Sequence, residues 1–221
     1  MADLATQSPD LTVNLGDCFS GPLDVVRTAD LLEELSALTV RGNHDRALMD
    51  GIHDNWDAAA APHMPQKALI WLATLPQTAW VERVFLCHAT PQDDTTFWLE
   101  RVQNGTLQRA PLSHIAALAD VDAEVMLCGH THIAPTVGLP NNRLVINPSS
   151  VGCPGFPHTD APQPYTVSAG ASYAANAILD KGRHGWTVSH RLMPYDHRES
   201  IVRAAALPDW VAALSTGWAT L

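Results

Sequence analysis

Short apolar segments alternate with polar loops along much of the chain, and several of these segments end directly at a polar motif. Leu11–Leu15 ends at Gly16-Asp17, and Leu38–Arg41 ends at Gly42-Asn43-His44-Asp45. Short apolar runs bounded by turn residues are typical of buried strands, so the pattern predicts strands that lead into loops. The predicted strands are Leu11–Leu15, Leu38–Arg41, Val84–Cys87, Glu124–Cys128 and Leu144–Ile146.

Helical periodicity separates these strands. Between Asp24 and Ala37, apolar residues recur on one face of a helix. Pro65 is well placed to open a further helix and Pro76 to close it. Two shorter helices are predicted at Pro111–Ala119 and Arg198–Ala206.

The remaining segments divide into one alternating region and three without a clean period. Tyr173–Leu179 and Trp186–Leu192 alternate, which predicts a hairpin. Asp54–Met64 is predicted to be a connection, Ala89–Pro111 a flap near the site, and the Pro- and Gly-rich stretch Gly152–Gly170 a loop.

Strands and helices alternate early and strands dominate later, which predicts a mixed α/β layered sandwich. With 221 residues, the chain is long enough for one domain with a full core, and we assign residues 1–221 to a single domain. Open sheets place ligand sites at the carboxyl ends of their strands. The polar motifs, although distant in sequence, are therefore expected to converge.

Composition narrows the class of protein. The apolar fraction of 46% is ordinary for a globular chain, and no apolar run of membrane-spanning length occurs. The formal net charge of −10 makes long nucleic acid an unlikely partner. The first residues lack the features of a signal peptide, and none of the four cysteines has CxxC spacing. We therefore expect a cytoplasmic protein with reduced thiols.

Four motifs carry the candidate chemistry: Gly16-Asp17, Gly42-Asn43-His44-Asp45, Cys87-His88 and Gly129-His130-Thr131-His132. Carboxylate, amide and imidazole donors together suit a hydrolytic metal site. Each motif alone has an ordinary explanation, because an Asp after a strand is usually a turn or cap residue. Their joint occurrence favours the metal site. The other histidines fit no motif and are interpreted as surface or packing residues, with only His158 a candidate for substrate contact: His53, His63, His114, His158, His184, His190 and His197.

The ordered motifs resemble the calcineurin-like metallophosphoesterase superfamily, and most closely its small bacterial phosphodiesterase branch. That branch also carries a strand-end Asn-Pro-Gly-Ser-Val-Gly, which is similar to Asn147–Gly152 here. The resemblance implies a layered α/β/β/α sandwich of mixed sheets with metal-site loops at the carboxyl ends of strands. It also implies two divalent metal ions, drawn from Mn, Fe, Ni or Zn.

The resemblance further implies a role for each motif residue. Asp17, Asn43, His88 and His130 would hold one metal, and His132 would hold the other with Asp17 as the bridge. His44 is the implied catalytic histidine, which contacts phosphate and helps protonate the leaving alkoxide while a metal-activated hydroxide attacks. Substrate binding would fall to Asn43, His44 and Arg46. Asp45 would orient a ring, but Asp45 and Arg46 are equally compatible with ordinary loop chemistry.

The chain departs from the family pattern in three places. Nothing before Leu11 matches the Asp-x-His that opens the family fold, although Asp17 and His132 remain for the metal it would help to bind. Either the recorded start is internal and a strand and helix precede Met1, or only one metal position is complete. Ser20 stands where some members have an Asp that supports the catalytic histidine, and Ser149 replaces a Gly.

The expected function is a metal-dependent phosphoesterase acting on a small phosphate ester, most simply a phosphodiester, with no membrane partner. The alternative is a catalytically impaired or non-catalytic protein-binding module on the same fold, as in the retromer subunit of this superfamily. The missing Asp-x-His favours the alternative, whereas the retained His44 opposes it. A homo-oligomer stays open, and manganese is one expected metal.

Overall fold

The computed structural model describes residues 2–51, 55–159 and 162–221, so His53 lies outside the described residues. Eight α-helices are described: α1 Ala2–Gln7, α2 Val25–Leu35, α3 Asn43–Asp50, α4 Asn55–Ala60, α5 Gln66–Leu72, α6 Leu112–Leu118, α7 Arg198–Arg203 and α8 Pro208–Thr216. Short 3₁₀ turns occur at Ala61–His63, Pro140–Asn142 and Ala204–Ala206.

The described strands form four sheets. They are β1 Val13–Asn14, β2 Leu38–Thr39, β3 Thr78–Val81, β4 Val84–Cys87, β5 Glu100–Gln103, β6 Thr106–Arg109, β7 Val125–Leu127, β8 Thr136–Leu139, β9 Arg143–Ile146, β10 Gly155–His158, β11 Tyr165–Ser168, β12 Ala174–Gly182 and β13 Gly185–Met193. A five-stranded sheet has the order β3-β4-β7-β9-β8, and a four-stranded sheet has the order β10-β11-β6-β5. β1 pairs with β2, and β12 pairs with β13.

The parallel part of the five-stranded sheet positions the candidate site. β4, β7 and β9 run parallel, with Leu86 opposite Leu127 and Leu127 opposite Ile146. The short strand β1 runs parallel to β2. Because these strands end at the same side of the fold, the loops that follow them meet there.

Apolar residues pack between two layers of strands. Leu15 and Val40, which follow β1 and β2, form one buried cluster with Leu86 and Ile146 of the five-stranded sheet. Residues of the β12–β13 hairpin, including Trp186, pack against the same cluster. On the other face of the sheet, Ile115 of α6 joins a second cluster. The predicted α/β/β/α sandwich of mixed sheets is therefore confirmed.

Several predicted elements are confirmed, and some of their limits are shorter than expected. The helix α2 ends at Leu35, and Asp24 caps it by accepting a hydrogen bond from the Arg27 backbone N–H at 3.0 Å. The predicted C-terminal hairpin is present as nine-residue strands that pair along their whole length. The cysteines among the described residues are all free thiols.

Three expectations about local structure were wrong, and the expected flap contains more regular structure than its sequence indicated. Residues from Asn43 onward begin helix α3 rather than continue a loop, and the segment expected to be a connection contains α4. The expected flap contains the β5–β6 hairpin, and the expected loop contains β10 and β11. These short elements are stabilised by burial and long-range pairing, which leave little periodicity in the local sequence.

No helix among the described residues combines the length and the apolar character needed to cross a bilayer.

Candidate metal centre

The loops after β1 and β2 lie against each other, and two glycines allow this contact. Gly16 has φ of +95°, and a Cβ placed there would overlap the backbone of Gly42. A Cβ at Gly42 would overlap the Asp17 carboxylate. The close approach brings Asp17 Oδ1 to 3.0 Å from the backbone N–H of His44, which donates to it. Asp17 is thus held at the N-terminus of α3.

Asp45 joins the same two loops through hydrogen bonds to their backbones. Its Oδ2 accepts hydrogen bonds from the backbone N–H groups of Asp17 at 2.8 Å and Gly42 at 2.9 Å, and its Oδ1 accepts one from Cys18 at 2.8 Å. The residue is fully buried. Burial, with the nearby Asp17 charge, raises the pKa of Asp45 above its ordinary value. Both carboxylate oxygens of Asp45 are therefore engaged by backbone donors.

Asp17, His88 and His130 each offer a ligand atom, and these atoms lie within 4.8 Å of one another. His88 Nε2 is 3.1 Å from Asp17 Oδ2 and 3.1 Å from Asn43 Oδ1. The structure thus brings one carboxylate, one amide and two imidazoles to one point from three loops and the first residue of α3. These are the side chains that the sequence assigned to one metal position.

Backbone carbonyls fix which ring nitrogen of each histidine is available. His88 Nδ1 donates to Leu15 O at 2.6 Å, so its Nε2 faces Asp17. His130 Nε2 donates to Thr95 O at 3.0 Å, which leaves Nδ1 without the proton in the neutral ring. Such carbonyl contacts are typical of histidines that ligate metals, because they set the tautomer and the ring orientation.

His132 is held differently and lies outside the group of three. Its Nδ1 donates to Cys153 O at 2.9 Å, which leaves Nε2 as the unprotonated atom of the neutral ring. Burial lowers the pKa of His132, and the negative charge of Asp17 opposes that shift. This placement is compatible with a second position that shares only Asp17 with the first.

Burial and neighbouring charges shift the pKa values of the donor groups. Burial lowers the pKa of His130 to about 3 and that of His132 to about 4, so both rings are neutral at ordinary pH. Burial opposes ionisation of Asp17, but the surrounding histidines outweigh it and hold its pKa far below the ordinary value. Burial also opposes protonation of His88, yet the adjacent Asp17 raises the pKa of His88. A bound cation would displace the proton from His88, because metal ligation requires the neutral ring.

His44 has an orienting partner that the sequence did not reveal. Its Nδ1 lies 3.0 Å and 3.1 Å from the two oxygens of Asp57, a residue only 1% exposed on α4. The adjacent Trp56 places its ring 5.9 Å from the His44 ring, tilted by 30°. The segment expected to be a connection thus supplies two consecutive residues that hold the imidazole. No sequence motif identified Trp56 and Asp57, because His44 is more than ten residues away from them in the chain.

Arg46 is directed across the site by an acidic residue. Its Nε and Nη2 donate to Asp94 at 2.8 Å and 3.0 Å, which links α3 to the segment after β4. This segment also provides Thr95 O, the acceptor for His130. The expected flap therefore does contact the site through these two residues. Three of the five N–H donors of Arg46 are not used by Asp94.

The loop that carries His130 and His132 has strained backbone conformations and is held by hydrogen bonds from the segment after β9. Both histidines have positive φ, +64° and +56°, which is uncommon for residues other than glycine. Asn147 Nδ2 donates to Gly129 O at 2.6 Å and to Thr131 Oγ1 at 3.0 Å. Ser149, with φ of +71°, donates from its hydroxyl to His132 O at 2.5 Å. The Asn147 segment thus fixes the conformation of both histidines.

The other described histidines do not join the group. His158 lies on β10 and stacks on Tyr165 at 5.1 Å between ring centroids. Thr136, Phe97 and Tyr195 provide hydrogen-bond contacts for His190, His114 and His197 respectively.

The donor set fits a divalent transition metal. One carboxylate, one amide oxygen and two neutral imidazoles combine hard and borderline ligands, as Mn²⁺, Fe²⁺, Ni²⁺ and Zn²⁺ accept. The converging atoms and the fixed tautomers therefore describe a site suited to a cation.

Comparisons with known proteins agree with this geometry. Residues 1–168 match the sequence profile of the calcineurin-like phosphoesterase superfamily domain. The chain therefore belongs to the calcineurin-like phosphoesterase superfamily, as its motifs predicted. A search of curated proteins found no significant relative.

Two solved structures show the same fold. A metallophosphoesterase from Sphaerobacter thermophilus is 20% identical with a TM-score of 0.72, and the alignment covers 98% of this chain and 92% of that one. The hypothetical protein PH1004 from Pyrococcus horikoshii OT3 is 16% identical with a TM-score of 0.66, covering 99% of this chain and 90% of that one. At such identities the likeness establishes the architecture alone.

Proposed function

We propose that this protein is a metal-dependent phosphoesterase that hydrolyses a small phosphodiester. The observation that carries the proposal is the convergence of Asp17, His88 and His130 donor atoms within 4.8 Å. The His44–Asp57 pair stands beside them, since His44 is bonded through its backbone to Asp17. A binding module has no evident use for an oriented imidazole next to a cation site.

In this proposal the cation is held by Asp17, Asn43, His88 and His130, and His132 shares Asp17 for a second cation. A bound divalent cation would polarise the phosphoryl group and supply water of lowered pKa as the nucleophile. Manganese, iron, nickel and zinc all suit these donors.

His44 is the proposed general acid. Its Nδ1 faces the Asp57 carboxylate at 3.0 Å, and Nε2 is the ring atom proposed to contact a substrate oxygen. A proton held at Nε2 would pass to the leaving alkoxide, and the negative Asp57 would stabilise the charged ring before the transfer. Asn43 and Arg46 are the proposed contacts to the phosphate oxygens. Asp45 acts through position, because its carboxylate fixes the backbone of Asp17 and Gly42.

The test measures metal content and hydrolysis separately. The purified chain is loaded with Mn²⁺, and turnover of bis-p-nitrophenyl phosphate is measured. His44→Ala should retain the metal and lose about 10²-fold or more of kcat, because a positioned general acid contributes about that much. Asp17→Asn should lose the metal itself.

A matched control is His197→Ala, which removes a partly exposed histidine whose ring contacts the backbone carbonyl of Tyr195. It should leave both readouts unchanged. Wild-type protein that binds Mn²⁺ but hydrolyses no phosphate ester would refute the enzymatic proposal and leave the non-catalytic alternative. Protein that binds no divalent metal would refute the metal site as well.

A further inference from the structure

Glu100 is a buried acid close to the proposed metal loop that the proposed mechanism does not use. It begins strand β5 and is only 4% exposed, although its partner in the antiparallel register is Arg109. Its Oε2 has no hydrogen-bond partner among the described residues. An unpaired carboxylate oxygen in a protein interior is costly, so a buried acid at such a position calls for a compensating role.

The surroundings of Glu100 connect it to the histidine loop. Glu100 lines one narrow cleft together with Cys128, Gly129, His130 and Thr131. Thr131 lies between the two histidines and is 2% exposed. Its side chain interacts favourably with the charged form of Glu100, against the opposing effect of burial. The acid thus lies beneath the peptide that carries both imidazoles.

The hydrogen-bond directions around Thr131 explain why an acceptor is needed there. Thr131 Oγ1 accepts from Asn147 Nδ2 at 3.0 Å. A hydroxyl that accepts through its oxygen keeps its own proton for donation. Asn147 thus holds the loop from one side, and Glu100, which lines the same cleft as Thr131, is the candidate acceptor on the other. The loop needs such support because both flanking histidines have left-handed backbone conformations.

The net charge of the proposed first metal position points the same way. A divalent cation held by Asp17, Asn43 and two neutral imidazoles leaves one uncompensated positive charge. A buried carboxylate nearby offsets that charge, because electrostatic interactions are weakly screened in the interior. Burial of Glu100 without a local cation is unfavourable, whereas its burial near a bound cation is less so.

We propose that Glu100 is a positioning residue for the metal centre. It holds Thr131 in place and favours cation binding by the loop that carries His130 and His132. This inference rests on the proposed metal-dependent function. The proposed role involves no contact between Glu100 and substrate or metal. Glu100 acts instead through Thr131 and through its charge. Supporting residues of this kind typically change metal affinity about 10- to 100-fold when they are replaced.

The experiment compares metal binding by wild-type protein and the isosteric variant Glu100→Gln. Mn²⁺ affinity is measured by calorimetry, and the visible absorption of bound Co²⁺ reports ligand number and geometry. Glu100→Gln should weaken Mn²⁺ binding about tenfold or more and shift the Co²⁺ bands, without lowering the melting temperature of the metal-free protein. The matched control Glu124→Gln replaces a partly exposed acid just before β7 that accepts a hydrogen bond from Trp186. It should change neither readout.

A second pair of variants tests the path through Thr131. Thr131→Ser keeps the hydroxyl and should retain affinity, whereas Thr131→Val removes it and should weaken binding. The double variant Glu100→Gln/Thr131→Val should lose less than the sum of the two single losses. Wild-type Mn²⁺ affinity and Co²⁺ bands in Glu100→Gln would overturn the inference while leaving the proposed function intact. Failure of the wild-type protein to bind either metal would instead overturn the proposed function.

Discussion

Three buried or partly buried aspartates in the site accept different donors, and these donors separate their roles. Asp45 accepts hydrogen bonds from three backbone N–H groups, so it fixes the chain. Asp57 faces the imidazole of His44. Asp17 faces His88 and accepts one backbone hydrogen bond, which leaves it able to ligate a cation. Residue type alone does not distinguish these aspartates, whereas their neighbours do.

The contact between Asp57 and His44 predicts the effect of Asp57→Asn. The amide would remove the negative charge that stabilises protonated His44 and the fixed preference for a proton on Nδ1. We expect kcat for a phosphodiester to fall at least about tenfold while KM and Mn²⁺ content stay near wild type. Steady-state kinetics with metal analysis checks this result. A variant with normal kcat would show that Asp57 only packs against the ring.

The close contact at Gly42 predicts that metal affinity and protein stability can be changed separately by substitutions at the two ends of α3. Gly42→Ala would push a Cβ into the Asp17 carboxylate, and we expect Mn²⁺ affinity to fall about tenfold or more. Gly51→Ala is the control at the other end of α3, where a Cβ meets no atom of the described residues within 4 Å. Because Gly51 has φ of +69°, the control should lose about 1 kcal/mol of stability but keep the metal. Equal metal affinity in both variants would contradict the proposed contact.

At the scale of elements, the strands that deliver the motifs were predictable, and the elements that support them were not. β4 was predicted with its observed limits, because four buried apolar residues precede His88. α4 was missed, since its helix is short and its buried face is formed by Asp57 and Ala60 rather than by an apolar stripe. The site likewise divides into motif residues and unmarked supporters such as Asp57 and Glu100. Supporters are defined by long-range contact, which local sequence does not encode.

The link between α3 and the segment after β4 predicts a binding effect rather than a large stability effect. The Arg46–Asp94 pair is partly exposed, so its loss should cost less than about 1 kcal/mol. Arg46→Gln should nevertheless raise KM for a phosphodiester about tenfold, because it removes the N–H donors proposed to contact phosphate. Asp94→Asn should raise KM less, since the guanidinium remains but loses its orientation.

Arg27→Gln is the control for this prediction, because Arg27 is an exposed arginine on α2. It should leave KM unchanged. If KM is also unchanged in Arg46→Gln, Arg46 serves only to join the two elements.

At the scale of the whole molecule, the acidic chain concentrates buried titratable groups around one point. The formal net charge is −10, yet the groups at the site have pKa values shifted in both directions. Burial is the first cause of most of these shifts, so folding stability and the protonation of the site are linked. Glu100 offers the clearest case, because the sign of its contribution can be isolated with one substitution.

Burial raises the pKa of Glu100 to about 7 from an ordinary value of 4.5. The folded chain therefore keeps this carboxyl protonated over a range of pH in which the unfolded chain has lost the proton. Its contribution to stability is fully present below about pH 4.5 and is lost as the pH rises through about 7. At about 1.4 kcal/mol for each unit of pKa, the loss reaches about 3 kcal/mol.

The groups that face Glu100 do not change charge across this range. Burial keeps the pKa of Cys128 well above its ordinary value and lowers that of His130 to about 3, so both are neutral. The expected dependence therefore belongs to Glu100 itself.

Urea unfolding of the metal-free protein between pH 4.5 and pH 8 tests this expectation. The glutamine in Glu100→Gln cannot ionise. The free energy of unfolding of this variant should therefore increase relative to that of wild type by about 3 kcal/mol as the pH rises. Glu124→Gln should show no such increase, because hydrogen bonds from Trp186 and Lys181 lower the pKa of Glu124. Its contribution therefore changes only near and below pH 4.5, and with the opposite sign. A constant difference between Glu100→Gln and wild type would mean that Glu100 is ionised in the folded chain. Metal binding at the adjacent loop would then start from an already charged carboxylate.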